Sequence, residues 1–77
     1  MTNLDLYEKS FNQALSLDKL PKILERGKIT TWDSIGHMHL ITEIEDTFEI
    51  MFDTEDIIGF TSYEKGKEIL KNYGIEI

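Results

Sequence analysis

The chain has 77 residues, 40% of them apolar, and 15 acidic residues against 8 Lys and Arg leave a net charge of −7; that length holds one domain, residues 1–77, with a small core. It has no cysteine, which excludes disulfides, thiolate metal sites and a catalytic thiol, and its acidity argues against nucleic acid as a partner. No apolar run approaches the roughly 20 residues that cross a bilayer, and the start MTNLDLYEK is unlike a signal peptide, so a cytoplasmic protein without membrane insertion is expected.

The charge is unevenly spread. Between Lys28 and Lys65 there is no Lys or Arg, while the window holds Asp33, Glu43, Glu45, Asp46, Glu49, Asp53, Glu55, Asp56 and Glu64. Such a field attracts basic partner surfaces and speeds their encounter. The same pattern also describes a solvated helix face.

Thr2 followed by Asp5 reads as a capping box for a first helix. Leu4, Tyr7, Phe11, Ala14 and Leu15 then recur at spacings of three and four, an apolar face over residues 3–16. From Ser16 to Asp33 the period breaks, with Pro21 and Gly27 as punctuation. Leu17, Leu20, Ile23, Leu24 and Ile29 are too many apolar residues for a free linker. A long loop pinned to the core is expected, with one helical turn near Lys22 to Glu25 and its path left open.

The second helix is expected from Ser34 to Ile50, with Asp33 as its N-cap. Leu40, Ile44 and Phe48 step by four, and Ile41 widens the stripe toward the core. Ile35 and Met38 lie to one side, exposed beside Ser34, while Glu45, Asp46 and Glu49 face outward. A short third helix follows, capped by Asp53 or Thr54, with Ile57 and Ile58 inward and Gly59 near its end. Thr61 with Glu64 reads as a second capping box that opens the last helix. Tyr63, Gly66, Ile69, Leu70 and Tyr73 form its inner face, with Gly66 permitting close helix approach, and Gly74 ends it ahead of a loosely held Ile75 to Ile77. No run of period two marks a strand. The fold class is all-α: a small bundle of four helices, three main and one short, expected as a monomer.

Ser34 is the candidate for chemistry. A serine needs a base to act as a nucleophile. His37 follows by three residues, but no carboxylate is placed to orient it and no oxyanion motif is visible. His37 and His39 point to different sides of a helix, a spacing that does not build a metal site by itself, and both are expected to face solvent. A serine at a helix N-terminus suits another task, carrying a phosphate, because the dipole and free amides favour negative charge there.

The segment WDSIGHMHLITEIEDTF resembles the core of an acyl carrier protein. The likeness comprises Asp33-Ser34-Ile35, the core positions Leu40, Ile41, Ile44 and Phe48, Glu45 in an Ile-Glu-x-x-Phe run, and Thr61 opening the final helix. It implies an acyl-carrier-like four-helix bundle that is not itself an enzyme. A phosphopantetheinyl transferase would move 4'-phosphopantetheine from coenzyme A to Ser34 in a magnesium-dependent reaction. The arm's thiol would then hold acyl cargo as a thioester, which agrees with the missing cysteine. Asp33 would engage the transferase. Glu43, Glu45, Asp46 and Glu49 would meet basic patches on acyl-activating, synthase or acyltransferase enzymes, with Ile35 and Met38 giving apolar contact. Where the fatty-acid type has acidic residues after its serine, this chain has Gly36 and His39, which points to a specialised pathway, polyketide-like, amino-acyl or surface-polysaccharide modification. The order Asp-Ser-hydrophobic-Gly is similar to that of D-alanyl carriers, so an amino-acyl carrier is the alternative. A small acidic helical adaptor with no prosthetic group is the rival from another class.

Overall fold

In the computed structural model, which describes residues 1–77, four helices form in chain order: α1 (Asn3–Ala14), α2 (Ser34–Phe48), α3 (Thr54–Gly59) and α4 (Tyr63–Asn72). There is no strand, only two isolated bridges. The all-helical expectation of three main helices and one short one holds.

The Thr2–Asp5 capping box starts α1, each side chain bonding the other's backbone N–H at 3.1 Å. The helix stops at Ala14, short of residue 16, because Ser16 turns to a positive φ of 54°. Tyr7, Phe11 and Leu15 are buried on its inner face, whereas Leu4 lies exposed at the rim. The most extensive helix–helix contact pairs α1 with α2. On α2 the stripe Leu40, Ile41 and Ile44 is fully inside, with Phe48 packed at its edge. The helix ends at Phe48, two residues before Ile50, where Glu49 adopts the left-handed conformation.

Four expectations fail further along. The last helix opens on Ser62, not Thr61: the Ser62 hydroxyl accepts the Lys65 N–H at 3.0 Å. The Thr61 carbonyl is instead taken by the N–H of Arg26, and Tyr63 N–H donates to Leu24. This pairing also fixes the long loop, which lies along the entry to α4 and forms no helical turn at residues 22–25. Leu24 is buried and Leu17, Leu20 and Ile29 pack on the core, while Ile23 points to solvent. In α3, Ile57 is half-buried but Ile58 is 66% exposed. Adjacent helical positions diverge by about 100°, and Phe60, just past the helix, takes the inward place that Ile58 does not. The C-terminal residues are also tied down. Ile75 N–H donates to the Leu70 carbonyl, its side chain packs on the core, and Asn3 Nδ2 donates to the Glu76 carbonyl.

The centre is aromatic. Phe11 meets Trp32 edge-on at 5.4 Å, and Phe60 lies within 6.5 Å of Tyr7, Phe11, Trp32 and Phe52. Gly66 lets α4 close on this cluster: a Cβ there would stand 2.2 Å from the Tyr7 hydroxyl and 2.3 Å from the Phe60 ring. That hydroxyl donates to the Tyr63 carbonyl at 2.7 Å, so it cannot swing away freely. Gly66→Ala would gain about 1 kcal/mol in helix propensity against overpacking costs of about 1–3 kcal/mol or more. With two rings to displace, net destabilisation is expected, seen as a lower urea midpoint at unchanged slope.

Candidate functional site

The turn that presents Ser34 begins with Asp33 in extended backbone (φ −94°, ψ −166°), its Oδ1 accepting the Gly36 N–H at 2.8 Å. This is the N-cap expected of that residue. The Asp33 carbonyl accepts from His37 N–H at 2.8 Å and starts the helical ladder. Ser34 is exposed, with Ile35 (70% exposed) and Met38 (50%) beside it. None of the surface grooves is lined by Ser34, so its exposed hydroxyl is not held in a cleft.

The residues that bracket this turn, Trp32 and His37, are buried. Trp32 and His37 are 0% and 3% exposed, and their rings lie nearly parallel, with centroids 6.3 Å apart. Trp32 Nε1–H donates to His37 Nδ1 at 2.9 Å. An indole nitrogen can only donate, so His37 Nδ1 must accept and the ring proton sits on Nε2. Nε2–H then donates to the Ile57 carbonyl of α3 at 2.7 Å. Burial holds the His37 pKa below its ordinary value, opposed by the bond to Ile57 and reinforced by the positive charge of Arg26. His37 is therefore a buried neutral connector and not the solvent-facing side chain its polarity suggests; His39 is exposed as expected. A Ser34–His37 dyad is closed by the same geometry, since both ring nitrogens are already engaged.

Gly36 is also dictated by this corner. A Cβ on it would lie 1.9 Å from the Thr31 carbonyl oxygen and 3.3 Å from Leu15. The loop backbone thus runs directly against the first turn of α2.

The acidic residues divide. Asp46 and Glu49 are exposed and Glu43 is half-exposed. Glu45 departs from expectation: it is half-buried, and its Oε2 accepts the Phe52 N–H at 2.9 Å, bracing the link from α2 to α3. Asp46 stands about 18 Å along the helix from Ser34 at 1.5 Å per residue. The structure therefore gathers Asp33, Ser34, Ile35 and Met38 at one end and leaves Asp46 and Glu49 at the other. Reading the sequence for motifs missed Trp32, Gly36 and His37 as the residues that build the turn. The available signal was the indole itself, which needs an acceptor when buried.

Comparison with family models, curated proteins and solved structures finds no match to this chain.

Gly36→Ala is expected to destabilise by about 1–3 kcal/mol or more through backbone overlap, whereas Ser34→Ala, at an exposed position, is expected to stay within about 0.5 kcal/mol of the parent. Urea unfolding of the two variants side by side checks both values.

Proposed function

We propose that the chain is a discrete carrier protein that receives 4'-phosphopantetheine on Ser34 and carries acyl groups as thioesters on the arm's thiol. The observation that carries this reading is an exposed serine hydroxyl on the first turn of a capped helix, within Trp32-Asp33-Ser34-Ile35 and flanked by exposed apolar side chains. A helix N-terminus tolerates the phosphodiester that such an attachment creates. The arm supplies the sulfur nucleophile that a chain without cysteine lacks.

In the attachment step, the Ser34 Oγ bonds to the phosphorus of coenzyme A that bears the pantetheine. The pyrophosphate P–O bond breaks, and 3',5'-adenosine bisphosphate leaves with the bridging oxygen. The hydroxyl proton passes to a base on the transferase. His37 offers no base for this, having both nitrogens occupied, so under this reading the catalytic groups belong to the partner and the carrier is not an enzyme. Asp33 keeps the helix start in place with its own carboxylate. Ile35 and Met38 give partners an apolar contact next to the attachment point. Glu43, Asp46 and Glu49 supply charge for basic patches farther along, and Glu45 contributes less because its carboxylate is already bonded.

The mark that favoured an amino-acyl cargo was Gly36. The Thr31 carbonyl gives Gly36 a steric role of its own, and the amino-acyl carrier stays the alternative. Loading by acyl-activating and by amino-acyl-activating enzymes separates the two.

Incubation with coenzyme A, magnesium and a promiscuous phosphopantetheinyl transferase is expected to add one phosphopantetheinyl group, read by intact mass and mapped to Ser34. Ser34→Ala is expected to abolish the gain with its helical circular dichroism unchanged. No gain in the parent chain, beside a carrier that is modified in the same tube, would overturn the reading and favour the acidic adaptor.

A further inference from the structure

The Trp32–His37–Ile57 connection joins three segments by side-chain hydrogen bonds: the end of the long loop, the first turn of α2 and the body of α3. Helix α3 depends on it more than the others. It has six residues, none of them buried, and its N-cap Asp53 makes no side-chain cap bond. Phe52 and Phe60 anchor its two ends, and the Tyr73 hydroxyl ties its start, accepting from Asp53 N–H and donating to Asp56. Its one hydrogen bond to α2 is the one from His37.

We propose that His37 is a proton-operated latch that fastens α3 to the Ser34 end of the protein at neutral pH and releases it in mild acid. A second proton can enter the ring only at Nδ1, which then faces the Trp32 Nε1–H as a second donor. The Trp32 bond is lost and a charge is left in a buried, aromatic-walled site, which favours ejection of the ring. No carboxylate bonds the ring, and burial, the Ile57 bond and the Arg26 charge are what set its proton affinity. From the loop, Arg26 adds repulsion. On α2, the Asp33 carboxylate is bonded to Gly36 N–H. On α3, Asp56 accepts from Tyr73 and Glu55 is exposed. From α1 and from the entry to α4 come the rings of Phe11, against Trp32, and Phe60, against His37.

The sign follows from the lowered proton affinity. The opened state binds the proton more readily than the closed one, so the latch is fully engaged above the ordinary histidine value of about 6.5 and weakens as pH falls below it. The proposal is independent of whether Ser34 carries a prosthetic group.

The test is NMR on the full chain from about pH 7.5 to about pH 5, following the His37 ring and amide exchange in α3, corrected for intrinsic rates. Protection of the Ile57, Ile58 and Gly59 amides is expected to fall by up to about tenfold per pH unit from about 6.5 down to the midpoint of the His37 ring, while the core turns of α2 keep theirs. Trp32→Phe removes the donor that reserves Nδ1, so the ring midpoint is expected to rise and the loss of α3 protection to level off at that higher pH. His37→Gln, which keeps one donor and one acceptor, is expected to make α3 protection independent of pH over the range. Protection that does not change with pH, that goes on falling well below the His37 midpoint, or that keeps its pH dependence in His37→Gln would overturn the proposal.

Discussion

The structure depends on how a buried indole N–H is satisfied. Trp32 is wholly enclosed, and leaving its donor without a partner would cost about 1–3 kcal/mol. The acceptor comes from His37, one turn into α2, and its engagement fixes the ring's single N–H proton on Nε2, which in turn needs the Ile57 carbonyl. One buried donor thus orders three segments in succession. Between Trp32 and His37 the chain makes a tight corner, with Gly36 against the Thr31 carbonyl. Ser34 sits at the apex of that corner, held from behind by buried side chains and free in front.

This arrangement reconciles rigidity with exposure. An N-cap alone fixes the start of a helix to about 1 kcal/mol, which is modest for a domain this small. Burying Trp32 and His37 on either side of the turn adds packing that an isolated Asp-Ser pair lacks. Under the carrier reading, a partner enzyme meets a serine whose position is set before encounter, so little ordering cost falls on binding. The charge that would steer that encounter lies mainly farther down α2 and in α3, with Ile35 and Met38 nearest the hydroxyl.

What could be read from the sequence was local. The Thr2–Asp5 box, the Asp33 cap, the stripe of Leu40, Ile41 and Ile44, the exposure of Ile35 and Met38, and the close approach at Gly66 each follow from spacing within one helix or from residue size. What could not be read was non-local. Thr61 and Ser62 are both suitable caps, and the choice is made by Leu24 to Arg26 pairing alongside them, more than thirty residues away in the chain. Glu45 looks like a surface acid until the Phe52 N–H, seven residues on, claims it. His37 is polar and helical, so solvent is the natural expectation; only the need of a buried Trp32 places it inside. Ile58 loses its inward position to Phe60 because so short a helix has one inner face.

The interaction at the base of this account is open to direct observation in a long-range proton–nitrogen correlation spectrum of the histidine rings at neutral pH. The account predicts that His37 is a single tautomer with its proton on Nε2 and an unprotonated, hydrogen-bonded Nδ1, and that the Trp32 indole N–H is protected from exchange. A His37 ring that averages between tautomers, or a Trp32 N–H that exchanges as if free in water, would contradict it.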